Sequence, residues 1–197
     1  MIQPHVLTLV TEPTEEPVSV AEAKIHLRIT NSAEDTSIGS LITASRQVAE
    51  NATRRVFVTQ TWEGRLDRFP RYDKGFEVPK PPLRSVSKIE YVDDDGVTQT
   101  LPSSDYQVDV HSLQGRVAPA FDKSWPTTRD DTLNAVIVTF EAGYGAAAAV
   151  PQAIKQAMLL HIGTLYEHRE DTVIGLNAVP LPLAASRLLS PYIVETI

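Results

Sequence analysis

The segment ENATRRVFVTQTWEGRLDRFP, residues 50–70, changes its periodicity in the middle, and that change sets the fold. Upstream, Ile38, Leu41, Ile42, Ala49 and Ala52 keep one helix face apolar, while Arg46, Gln47 and Glu50 occupy others. Downstream, Thr59–Phe69 is rich in β-formers, with Trp62 and Leu66 in rough alternation with polar neighbours. A helical block gives way to a β-rich one at about residue 55.

Toward the N-terminus, PVSVAEAKIHLRI (residues 17–29) begins an earlier helix. Ser19 is a suitable N-cap, Glu22 completes a capping box, and Val20, Ala23 and Leu27 make an apolar stripe. Thr30-Asn31-Ser32 breaks this helix, with Asp35 near the start of the next. That second helix, of about 23 residues, would be a rod of roughly 35 Å. Residues 1–17, with Pro4, Pro13 and Pro17, read as an extended arm.

Toward the C-terminus, Ser85–Val92 alternates Val86, Ile89 and Tyr91 with polar residues. Asp93-Asp94-Asp95-Gly96 ends in Asp-Gly, the favoured two-residue hairpin turn, and VTQTL returns as the partner strand. DYQVDV, GRVAP and NAVIVTFEAG supply further strands, of which AVIVTF has the continuous apolar character of a strand buried on both faces. Pro79, Pro81 and Pro82 confine their region to an edge or linker. Val150-Pro151 opens a third helix whose apolar face is Ile154, Ala157, Met158, His161, Ile162 and Leu165, continuing to Glu170. A loop with Gly175, Asn177, Pro180 and Pro182 precedes a short fourth helix, Leu183–Ser190, stopped by Pro191. The expected class is α+β: one domain over 1–197, with a helical body of four helices (18–55 and 150–197). A small, mostly antiparallel β-rich insertion (56–145) interrupts it.

Composition excludes several function classes. The 42% hydrophobic and 22% charged fractions are those of an ordinary globular protein. The absence of cysteine removes disulfides and thiolate metal sites and suits a reducing cytosol. Neither a signal peptide nor an apolar run near the roughly 20 residues of a membrane span is expected. A net charge of −7 opposes a dedicated DNA-binding domain. The charge is uneven: residues 46–84 hold nine Lys and Arg against five Asp and Glu, leaving nine basic and twenty acidic residues elsewhere. Within the remainder, residues 93–109 carry five Asp and no Lys or Arg. Such polarity can orient head-to-tail contacts between subunits.

No catalytic, cofactor or metal site assembles from the residues. The five histidines are dispersed, with no HExxH, and His161 reads as a hydrogen-bonded core residue. Gly143-Tyr144-Gly145 lacks the Lys-Ser/Thr of a phosphate loop and instead permits a tight strand-to-helix turn. Counting back from Gly96 puts Tyr91 at the first position of a calcium loop, so DDDG reads as a hairpin. The chain contains no GxSxG. The candidates that remain are charged surface positions: Asp93, Asp94 and Asp95 at a projecting tip, and Arg54, Arg55, Arg65 and Arg68 for subunit contact or weak, salt-sensitive DNA contact.

Several strings in order resemble the head–tail connector (adaptor) family of long-tailed bacteriophages and related gene transfer particles. They are EPVSVAEAKIHLRI (16–29), residues 50–70, PKPPLRSVSKIEYVDDDG (79–96), YQVD followed by GRVAP and Trp125-Pro126, FEAGYG (140–145), and VPQAIKQAMLLHIGTLYEHRE (150–170). The resemblance implies a helical body with an inserted β-region, no catalytic residues and no cofactor. It further implies a homo-oligomeric ring, commonly a dodecamer, made in the bacterial host cytoplasm and residing in the virion neck. The implied partners are the portal protein above, a stopper or tail-completion protein below, and genomic DNA crossing the channel without sequence-specific binding. Negative walls would let DNA pass without the counterion-release binding of a basic channel. The rival expectation is a DNA-packaging or assembly factor that acts transiently and leaves the particle.

Overall fold

The computed structural model describes residues 3–71, 74–168 and 182–195 and is α+β, with four helices and two antiparallel sheets. It divides into two compact units: Met1–Pro13 with Thr59–Tyr144, and Thr14–Val58 with Gly145–Ile197.

Among its described residues the first unit is built of β-strands, with a short 3-10 turn at Ser103–Asp105. Its strands are β1 (Val6–Thr11), β2 (Gln60–Leu66), β3 (Phe76–Val78), β4 (Leu83–Val92), β5 (Thr98–Thr100), β6 (Tyr106–Asp109), β7 (Gly115–Pro119) and β8 (Val136–Ala142). A five-stranded sheet has the order β1-β2-β8-β4-β5 and a three-stranded one β3-β7-β6. The β-rich stretch, expected as one small sheet, is two; the prolines at 79, 81 and 82 lie, as their linker reading implied, in the link that carries the chain from β3 to β4 in the other sheet. As the apolar run implied, β8 is central, and Val136, Val138 and Phe140 are fully buried. Residues 6–11 lie in the stretch read as an arm; they are extended, but paired along β2, from Val6 opposite Arg65 to Thr11 opposite Thr61. Leu66, Ile89, Val138 and Phe140 from the larger sheet, with Phe76, Val78 and Val117 from the smaller, form the buried core.

The hairpin between β4 and β5 is present, but its loop is longer than the two-residue Asp-Gly turn expected. Gly96 N donates to Asp93 O at 2.9 Å and Asp93 N donates to Val97 O at 3.0 Å, leaving Asp94, Asp95 and Gly96 as a three-residue loop. Gly96 takes φ +81, the left-handed residue this loop class requires. Asp93 Oδ1 accepts from Asp95 N and Val97 N, stabilising the longer loop over the tighter one.

The second unit contains α1 (Val20–Leu27), α2 (Asp35–Thr53), α3 (Gln152–Glu167) and α4 (Leu183–Leu189). Ser19 and Glu22 make both bonds of the capping box. Helix α2 has 19 residues, about 28 Å rather than the longer rod expected. Its buried face is Ile38, Ile42, Ser45, Arg46, Ala49, Glu50 and Thr53, while Ala52 is exposed. The expected face is therefore rotated, because Arg46 and Glu50 neutralise each other and can face inward. On α3 the buried positions are Ile154, Ala157, Met158, His161 and Ile162, as the periodicity indicated, while Leu165 on the same expected face is only half-buried. Gly143 and Gly145 have φ of +124 and +129, as the turn from strand to helix demands. The loop assigned to Gly175, Asn177 and Pro180 and the end of the third helix at Glu170 lie outside the described residues.

Candidate functional site

Among the described residues, no group of three or more His, Cys, Asp or Glu is placed to hold a metal, and no helix is long and apolar enough to cross a membrane. The surface features of each unit therefore carry the functional question.

In the β unit the acidic tip is held on both sides. Asp93 Oδ2 accepts from Gln99 Nε2 at 2.8 Å, and with the backbone N–H of Val97 this holds the Asp93 carboxyl below its ordinary range. Asp94 Oδ2 accepts from Thr127 Oγ1 at 2.8 Å. Asp95 is exposed. Arg129 lies against the tip: its N donates to Val92 O, and a Cβ built on Gly96 would sit 2.3 Å from its Nη1. The same Arg129 lines an open hollow of about 540 Å³ with Asp67, Arg68, Asp130 and Asp131. The fold thus brings Arg68 and the Asp93–Gly96 tip into one neighbourhood through a residue the sequence reading missed.

Arg65 is half-buried on β2, with Nη2 3.0 Å from Glu63 Oε2. In the helical unit, Arg54 is exposed at the left-handed C-cap of α2, φ +57. Arg55 donates from Nε to Tyr192 O at 2.6 Å, fastening residue 55 to the C-terminal segment. The four arginines therefore fall in different units, two in each, and two of them are engaged within the chain.

The charge contrast counted along the sequence is partly neutralised inside the chain. Arg46 is buried against Glu16 (Nε to Oε2, 2.7 Å) and Glu50 (Nη1 to Oε2, 2.9 Å). Burial opposes its charge, but the two carboxylates more than offset this and raise its pKa. Asp109 accepts from Ser112 and Arg116, which hold its carboxyl well below the usual range, and Asp105 pairs with Lys123 at 3.0 Å.

Exposed apolar side chains form the second class of feature. Phe121 is 99% exposed and Leu133 79%, both in the irregular stretch between β7 and β8. The signal in the sequence was a lone Phe followed by Asp122 and Lys123, outside any alternating pattern.

Residues 17–99 match the family described as "Phage gp6-like head-tail connector protein". No curated protein matches the chain. A chain in the neck of an empty gene transfer agent (GTA) particle, computed with C6 symmetry, is 24% identical with a TM-score of 0.79, covering 98% of this chain and 97% of that one. A chain in the virion of a native GTA particle is 23% identical, with the same TM-score and coverages. A chain in the neck of a native GTA particle computed with C12 symmetry is 22% identical at a TM-score of 0.72, again over 98% and 97%. Over nearly its full length this chain shares their fold.

Proposed function

We propose that the whole chain, whose residues 17–99 match the phage gp6-like head–tail connector family, acts as one connector domain, an adaptor subunit in the neck of a tailed-phage-like particle. It is a structural component and not an enzyme. Copies assemble as a ring, twelvefold, beneath the portal; the ring extends the DNA channel and docks the stopper or tail-completion protein. The helical segments form the body and the β-rich segment is its insertion.

The observation that carries this reading is the shared fold with chains of particle necks over 98% of the length. C6 and C12 symmetry in those neck structures supports a ring. The exposed Asp95 and the turn around it are the candidate projection toward the lumen or the tail-side partner. Arg54 and Arg68 are the candidate cations for subunit or passing-DNA contact.

The test is negative-stain imaging and sedimentation of the purified protein, alone and with portal. Rings of fixed stoichiometry that stack on portal are the expected result. Recovery of the protein from purified particles at a constant ratio to portal separates the adaptor from a transient packaging factor, which would be absent. Protein that forms no ring in either setting and is missing from particles would overturn the reading.

A further inference from the structure

Among the described residues, the sheets of the β unit end in four open strands, β1 and β5 in one sheet and β3 and β6 in the other. Three of these edges are shielded. Strand β5 is only the polar Thr98–Thr100, β3 is three residues centred on Glu77, and β6 is four residues ending in Asp109. Short length and charge are the usual means by which a sheet edge avoids further pairing. Strand β1 has neither: Val6–Thr11 is six residues long and carries no charge and no proline. It pairs with β2 alone among the described residues, so its outward row of N–H and C=O groups has no backbone partner. Val6, Leu9 and Val10 on it are 40%, 38% and 52% exposed.

An open edge of this kind accepts another extended backbone, and the side chains of β1 say which one. Val6-Leu7-Thr8-Leu9-Val10 reads the same in both directions. Laid antiparallel against its own copy about Thr8, it sets Val6 opposite Val10, Leu7 opposite Leu9, and Thr8 opposite Thr8. Directly opposed residues lie on one face of a sheet, so each face meets its own kind, and Thr–Thr pairs add a hydrogen bond. With no charge on the strand, nothing in the pair repels. A two-fold contact is one in which residue i meets j and j meets i, the condition a palindromic strand satisfies. The bulge at Val10, where Leu9 faces Trp62 but Thr11 faces Thr61, ends the regular stretch and holds the pairing to these five residues.

We infer that two copies of the chain pair edge to edge along β1, antiparallel about a two-fold axis at Thr8, so that their five-stranded sheets become one continuous sheet. Neighbours in a cyclic ring of six or twelve are not related by a two-fold axis, so the pair is a form of chains outside a single ring. It covers the one edge that would otherwise template aggregation before assembly. The inference goes beyond the ring reading and does not rest on it.

The chain has no cysteine, so single cysteines report without background. Thr8→Cys, mildly oxidised, is expected to give at least tenfold more disulfide-linked dimer than Phe121→Cys, a 99% exposed position off the strand. Val6→Cys and Val10→Cys chains mixed should link at least tenfold more than either alone. In sedimentation of the free chain, wild type is expected to form dimers. Thr8→Lys, which opposes two cations at the axis, should weaken them at least tenfold, while Thr8→Val keeps them. Thr8 is exposed, and unchanged circular dichroism of Thr8→Lys shows that the fold persists. No enrichment at residue 8, self-linking of Val6→Cys as strong as the mixture, Thr8→Lys as dimeric as wild type, or a wild-type chain without dimers overturns the pairing. None of these outcomes touches the ring reading, which is tested by recovery from particles at a constant ratio to portal.

Discussion

Arg46 Nη1 lies 2.9 Å from Glu50 Oε2 across one turn of α2, with only 8% and 11% of the two side chains exposed. Glu16 reaches Arg46 Nε from outside the helix, and Glu50 Oε1 accepts from Phe57 N at 2.8 Å. One guanidinium thus ties the segment before α1, the body of α2 and the chain following it.

Removing the cation leaves two carboxylates facing each other in a largely dry site. Arg46→Met is expected to destabilise the protein by about 3 kcal/mol, the scale for a buried pair broken on one side. Glu50→Gln, which keeps an acceptor for Phe57 N, should cost less. Urea unfolding followed by circular dichroism measures both; an Arg46→Met midpoint equal to wild type would show the network to be ornamental to stability.

Gly115 on β7 is the tightest approach in the β unit. A Cβ there would come within 2.2 Å of Leu83 Cδ2 and 2.5 Å of Leu83 Cβ, so rotation of the side chain alone cannot relieve the clash. Gly115→Ala is expected to cost about 1–3 kcal/mol through overpacking. Leu83→Ala alone should cost about 2–5 kcal/mol as a cavity. The double variant should lose less than the two together, because Leu83→Ala removes the Cγ and Cδ2 clashes and the methyl added at residue 115 fills part of the cavity, while the approach to the Cβ of residue 83 remains. Strict additivity in a double-mutant cycle would contradict the contact.

His161 gives the protein a pH dependence of definite sign. It is buried on α3 with Nδ1 3.3 Å from Ser45 Oγ, and burial lowers its pKa below the ordinary value. In the unfolded chain it titrates near about 6.5. Above that pH both states are neutral and stability is flat. As pH falls through 6.5 the unfolded state takes the proton first, so stability declines until the lower folded pKa is passed. Urea midpoints from pH 8 to 5 should therefore fall, and His161→Gln should flatten that fall. A wild-type profile as flat as the variant's would remove His161 as its source.

Local chemistry was readable from sequence where one signal decided the outcome. Ser19 and Glu22 cap α1 as their spacing indicated, β8 is central as its apolar run implied, and the two glycines flanking Tyr144 take positive φ. What was not readable depends on partners far along the chain. Arg46 and Glu50 looked like surface residues because nothing in their neighbourhood announces Glu16 or Phe57 N, each at least seven residues from its partner. The three-residue loop at Asp93 follows from the Asp93 side chain satisfying two backbone N–H groups, a choice the Asp-Gly pair alone does not reveal. Of the charged candidates, only the fold shows that Arg68 and the acidic tip share Arg129 as a neighbour, and that Arg55 and Arg65 are occupied. Phe121 escaped because exposure of an apolar residue has no sequence period.

That division among the arginines gives the last prediction. With a net charge of −7 the chain should show no sequence preference on duplex DNA, and any binding should be weak and steeply salt-dependent. Arg54 and Arg68 are exposed, whereas Arg55 is bonded to Tyr192 O and Arg65 to Glu63. Each free arginine that meets a phosphate contributes about one unit to the slope of log affinity against log salt. Arg54→Ala and Arg68→Ala should each reduce that slope by about 1 in fluorescence anisotropy between 50 and 200 mM salt. Arg55→Ala should leave the slope alone and lower stability, because it unfastens the C-terminal segment. Tight binding that discriminates between duplex sequences, or a slope that responds to Arg55→Ala and not to Arg54→Ala or Arg68→Ala, would reverse the assignment of which cations are free to meet DNA.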